Sequence, residues 1–289
     1  NLNKSCLAIV ILFNLFLSNY AFSQCASNGN NTNDEYIGRV QLQANDINGA
    51  KSSLERASAI APQYALAKLE YGQLLINQGN LTDAKYVIDN MQKNFIDNPN
   101  VHVLQGNYFK ALNDDDQAYN AYFEAVTLNP NFTLPLIELY QIASHGKHQQ
   151  DFREYLEQHL LTNEDAHFQR HLLADLLYIE RSMQSAEAHY LKLIAVEDLP
   201  NKARIYNNLA LIKVSSQPEL GLEYAQNAVE LAPNSAAILD TKGWLLVNNA
   251  RYQEALTTLR TAFTMRSNDP SIRYHLAAAL KGLGKTDQA

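Results

Sequence analysis

The chain has 289 residues, of which 46% are hydrophobic and 18% charged, and its net charge is −7. That is enough apolar material for a large core, which excludes a disordered chain. An acidic balance with no Lys/Arg cluster lacks the electrostatic footprint that a phosphate backbone requires, so nucleic acid is not an expected partner. No segment alternates apolar and polar residues between turn pairs, and the fold class expected is all-α.

Residues 1–23 differ from everything after them. Lys4 precedes the apolar run Cys6 to Phe13, Leu15-Phe16-Leu17 extends it, and Ala21-Phe22-Ser23 follows as a small-x-small site. This reads as a secretory signal peptide cleaved after Ser23, because the apolar run is shorter than the roughly 20 residues of a spanning helix. The chain is therefore expected to be exported, to the periplasm or cell envelope. Cys25 leaves two readings open: simple cleavage, or lipidation of Cys25 that tethers the chain to a membrane by its N-terminus. Gln24 stands where lipidation signals carry a small residue. Once Cys6 has left with the signal, Cys25 is the one remaining cysteine and no intramolecular disulfide can form. Residues 24–30 read as a polar linker.

From residue 31 the sequence repeats. Gly38, Gly72 and Gly106 are spaced by 34, as are Ala50, Ala84 and Ala118, Gly243 and Ala277, and Ala255 and Ala289, while Pro62 and Pro130 stand two periods apart. Each period reads as a helix, a polar turn and a second helix. In the second unit Leu66, Leu69, Leu74, Leu75 and Ile76 mark one buried stripe, Gly79-Asn80 the turn, and Ala84, Val87, Ile88 and Met91 the next stripe. Small residues are needed where two helices cross closely. The units run 31–64, 65–98, 99–132, 133–166, 167–202, 203–235, 236–269 and, partially, 270–289. Tyr140 and Phe152 fall in columns meant for small residues, and the turn near Pro218 is shortened. Ala289 occupies the column that opens a second helix, so a C-terminally truncated sequence is expected, with Leu276, Leu280 and Leu283 uncovered.

The period and the order of residues in LEYGQLLINQGNLTDA, LQGNYFKALNDDDQA and TKGWLLVNNARYQEA resemble the tetratricopeptide repeat. The resemblance implies a right-handed superhelical solenoid of antiparallel helix pairs, about seven and a half repeats long. It also implies a non-enzymatic scaffold whose concave face, lined by the first helix of each repeat, holds protein or peptide partners. Carried onto this chain, the lining positions are Glu35 and Arg39, Gln73 and Asn77, Asn107 and Lys110, and Gln141 and His145. Later repeats supply Phe168, His171, Asp175 and Tyr178, then Asn207, Asp240 and Trp244, and Tyr274 and Lys281. The first half is amide-rich and the second aromatic, which suits an extended peptide or a partner's helix. The Lys-Asn-Arg clamp of chaperone-binding members is not visible, since Leu69, Val103 and Ile137 stand where its first Lys would lie. A narrower resemblance rests on Asp240-Thr241, Gly243-Trp244 and Tyr274-His275-Leu276. These are similar to the C-terminal repeats of exported bacterial members associated with exosortase (PEP-CTERM) and exopolysaccharide systems, which implies a role in assembling surface material.

Catalytic spacing is scarce. The chain has no dinucleotide or phosphate-cradling glycine loop, no nucleophile elbow and no HExxH zinc motif. Asp114-Asp115-Asp116 reads as a solvated turn rather than a calcium loop. The one arrangement with ligand spacing is His167, His171 and Asp175, which steps of four put on one helix face, where they could hold zinc; an ordinary polar face explains it equally well. No cofactor and no enzymatic activity are expected.

Overall fold

The computed structural model describes residues 33–60, 65–285 and 287. The signal-peptide and linker readings, Cys25, Pro62 and Ala289 lie outside the described residues. Among those described there are fifteen α-helices and no strand. In chain order they are α1 (Asn33–Gln43), α2 (Ile47–Ile60), α3 (Ala65–Asn77), α4 (Leu81–Asn94), α5 (Pro99–Ala111), α6 (Asp115–Leu128), α7 (Thr133–Ser144) and α8 (Gln149–Thr162). They continue as α9 (His167–Ile179), α10 (Met183–Ile194), α11 (Lys202–Lys213), α12 (Pro218–Leu231), α13 (Ala236–Asn248), α14 (Tyr252–Met265) and α15 (Pro270–Gly282).

Local chemistry sets the ends of these helices. Asp114 caps α6 by accepting from Gln117 N at 3.1 Å, and Asn98 and Asp269 cap α5 and α15, each just ahead of a proline at the first helical position. Between the two helices of a pair the backbone takes a left-handed residue at Asn45, Gly79 and Asn113, then again at Arg181 and Ala250, and Gly284 takes the same conformation after α15. The 34-residue period is thus written in the backbone as well as in the side chains. Glycine adopts this conformation without strain, whereas Arg181 and Ala250 do so at some cost, held by the helices they join. The pair α11/α12 has no such residue, which agrees with the shortened turn at Pro218.

The chain divides into two compact units, residues 1–138 and 139–289, with the boundary inside α7. In the first unit, Leu75, Ile88, Met91, Val101 and Leu104 from α3, α4 and α5 form one apolar cluster. Ala50, Ala84 and Ala118 are fully buried where the paired helices cross. A Cβ on Gly106 would sit 2.4 Å from the Tyr122 ring, so this glycine admits a large aromatic across the α5–α6 crossing. In the second unit Leu246, Leu256, Leu259 and Leu280 cluster between α13, α14 and α15. Gly243 plays the same part there, since its Cβ would lie 2.4 Å from Leu259. Phe152, in a column meant for a small residue, is fully buried, so the α7/α8 pair keeps its core by filling with an aromatic ring.

Candidate functional site

Polar side chains on the first helix of one pair repeatedly reach the first helix of the next. In unit 1, Arg39 of α1 lies 3.8 Å from Glu35 and 3.3 Å from Glu70 of α3, and the two glutamate side chains are only 3% and 9% exposed. Burial pushes the Glu70 carboxyl from the ordinary 4.5 to about 8, Arg39 pulls it back, and Glu35 adds to the rise.

Further along the same unit runs a polarised chain of hydrogen bonds. Tyr122 OH donates to Asn107 Oδ1 at 2.7 Å, Asn107 Nδ2 to Gln73 Oε1 at 2.6 Å, and Gln73 Nε2 to Asn77 Oδ1 at 2.9 Å. The chain begins at a fully buried phenol and ends at an exposed amide. These amides are therefore oriented by one another while each keeps a further N–H to offer. Lys110 pairs with Glu138 at the start of the next repeat.

In unit 2 the corresponding row is ionic. Asp175 of α9 accepts from Tyr190 OH of α10 at 2.6 Å and from Asn208 Nδ2 of α11 at 3.3 Å, and its other oxygen lies 3.0 Å from Arg204 Nη2. The same Nη2 donates to His171 Nε2 at 2.9 Å, so His171 carries its proton on Nδ1. Burial lowers the affinity of His171 for a second proton, Asp175 opposing and Arg204 assisting. Tyr140, beside Asp175 and Arg204, has its phenol pushed up to about 12 by burial first and Asp175 second.

Two repeats on, Asp240 of α13 accepts from His275 Nδ1 of α15 at 2.7 Å. The His275 ring stacks on Trp244 at 4.4 Å, and Tyr274 leans on both rings at 5.9 and 5.8 Å while remaining 65% exposed. Elsewhere, the Gln141 carbonyl accepts from His145 Nδ1, Tyr178 is half-buried on α9, and Asn207 Oδ1 is buried without a hydrogen-bond partner.

Ten of the predicted lining residues thus meet in four clusters, namely Glu35 and Arg39; Gln73, Asn77 and Asn107; His171 and Asp175; and Asp240, Trp244 and Tyr274, while Lys110, Gln141, His145, Tyr178 and Asn207 lie outside them. The zinc alternative on His167, His171 and Asp175 finds no support in the geometry. Among the described residues no three His, Cys, Asp or Glu side chains are grouped to hold a metal, and the Arg204 guanidinium fills the space that such an ion would share with His171 and Asp175. Glu70, Glu138, Tyr122, Tyr190, Arg204, Asn208 and His275 were not foreseen. Polar spacing carries the signal for several of them, since Gln73 and Asn107 are 34 apart, and His171–Arg204 and Asp175–Asn208 are each 33 apart. A cleft of about 640 Å³ among α12, α13 and α14 holds none of the predicted residues and is lined chiefly by charged side chains, two of which, Arg251 and Glu254, pair at 2.6 Å.

The family model of the tetratricopeptide repeat matches residues 41–108. No match was found among the curated proteins. Among solved structures, the C-terminal part of a tetratricopeptide-repeat protein from Cytophaga hutchinsonii is similar, with a TM-score of 0.62 at 13% identity, over 84% of this chain and 99% of that one. A tetratricopeptide-repeat protein from Parabacteroides merdae is similar over 86% of this chain and 98% of its own, with a TM-score of 0.53 at 16% identity. The tetratricopeptide-repeat signature is thus matched over residues 41–108, and the likeness to these structures shows the same fold of antiparallel helix pairs.

Proposed function

We propose that the chain is a non-enzymatic scaffold that holds protein or peptide partners on the faces formed by the first helices of its repeats. The observation that carries this reading is the run of oriented polar and aromatic groups along those helices, which ends in accessible donors and rings at Asn77, Arg204 and Tyr274. Side chains fixed by their neighbours lose little freedom when a partner docks, and aromatic and arginine anchors carry a disproportionate share of interface energy. The test is to replace Tyr178 and Trp244 singly by Ala, with exposed Lys192→Ala on α10 as control, and to measure both melting temperature and capture of partners from envelope extract. Capture falling with melting unchanged is the expected result. Early melting of both variants, or loss of capture by the control alone, would move the binding surface elsewhere.

Export, and with it a role in surface assembly, is a second reading, supported by the composition of residues 1–23 and by the Asp240–Leu276 resemblance. It predicts that protein recovered from its own cells has an intact mass starting at Gln24 or at an acylated Cys25. A mass that retains residues 1–23 would overturn it.

A further inference from the structure

Two carboxylates on first helices of unit 2 can be compared directly. Asp175 is met by an imidazole and a guanidinium together: Arg204 Nη2 lies 3.0 Å from its Oδ2 and donates to His171 Nε2. Asp240 is met by an imidazole alone. His275 donates Nδ1–H to Asp240 Oδ1 at 2.7 Å, and no Lys or Arg among the described residues pairs with this carboxylate. The Asp240 side chain is 14% exposed and that of His275 17%, so both are reachable at an edge. Where the first cluster has its guanidinium, the second has an aromatic wall: Trp244 stacked on His275, and Tyr274 largely in solvent.

The carboxylate and the two aromatic rings favour a cation. The Asp240 carboxylate, with one oxygen uncommitted, attracts positive charge, and the faces of Trp244 and Tyr274 attract a guanidinium or ammonium through their quadrupoles. The chain's net charge of −7 works in the same direction at longer range. We infer that Asp240, Trp244, Tyr274 and His275 form a subsite for an arginine side chain supplied by a peptide or protein partner, which completes at Asp240 the set that Arg204 completes at Asp175. This rests on the partner-binding reading of the first-helix face and adds to it the chemistry of the group received there.

The site carries its own reporter, because Trp244 is the only tryptophan in the chain. The full chain is titrated with acetyl-Gly-Arg-Arg-Gly-amide and with the same peptide carrying citrulline, which keeps the shape of arginine and removes its charge, while Trp244 emission is followed. The arginine peptide is expected to shift emission saturably and to bind at least about tenfold more tightly than the citrulline peptide. Tyr274→Ala, at an exposed residue whose loss does not threaten the fold, and Asp240→Asn, which retains an acceptor for His275, should each weaken the arginine peptide about fivefold or more. Tyr86→Ala, at a 75% exposed tyrosine in unit 1, should leave binding unchanged. Equal affinity for the two peptides overturns the arginine subsite while leaving peptide binding in place. Absence of binding by both peptides overturns it, and so does a loss at Tyr86→Ala as large as at Tyr274→Ala, which would mean diffuse attraction to an acidic surface. Should Asp240→Asn melt early, Tyr274→Ala decides the matter.

Discussion

Glu70 keeps 9% of its side chain exposed and shares Arg39 with the more deeply buried Glu35. The ion-pair distance of 3.3 Å would fit a charged Glu70, but burial of its carboxyl outweighs the guanidinium and Glu35 adds to the rise, so the proton settles on Glu70. A carboxyl raised from 4.5 to about 8 on folding binds a proton in the native state that the unfolded chain has released between those values. Its contribution to stability is complete below the unfolded value and is lost as pH rises through about 8. Glu70→Gln imitates the protonated form and removes that dependence. The melting temperature of the variant minus that of the parent should therefore climb as pH is raised from about 5 to about 9. A difference that stays flat across this range would mean that Glu70 is charged in the folded chain throughout.

Pairs of helices were far easier to read from the sequence than the polar contacts between them. Small residues in a fixed column announced the crossings apart from that of α7 and α8, where Phe152 stands instead, and Ala50, Ala84 and Ala118 are fully buried where that column placed them. Left-handed residues at Asn45, Gly79 and Asn113 keep the same period, although only Gly79 proclaims its conformation by residue type. The side chains that cross from one repeat to the next were legible only in part. Position along a first helix picked out Asp175 and His171, but their partners belong to the following repeat and depend on its register. These contacts fall 33 residues on, so counting by 34 passes over Arg204 and Asn208, and the contact falls on Asn208 instead of its neighbour Asn207. Tyr122 and Tyr190 lie on second helices, outside any pattern drawn from first-helix positions, and join the rows because their phenols reach across the crossing. His275 adjoins the predicted Tyr274, and its ring links Asp240 to Trp244.

For the molecule as a whole, the substantial helix contacts run between elements one or two apart in the chain, so stability is a sum of local terms. Damage to one crossing should accordingly stay near it. Ala84 is fully buried at the α3–α4 crossing, in the same core as Ile88, Met91 and Leu104. Leu at this position adds a side chain for which the close-packed interior has no room, and should cost roughly 1 to 3 kcal/mol. Glu124→Leu on the exposed side of α6 adds similar bulk without entering a crossing and should cost far less. Amide hydrogen exchange then separates local from global destabilisation. In Ala84→Leu, amides of α3, α4 and α5 should exchange faster while those of α13, α14 and α15 keep the protection they have in the parent. If protection falls equally in both sets of helices, the chain unfolds as one cooperative body, and the one-dimensional account of its stability fails. If neither melting nor exchange changes, Ala84 does not lie at a crossing, and the 34-residue register that places Ala118 beside Gly106 and Tyr122 would have to be redrawn.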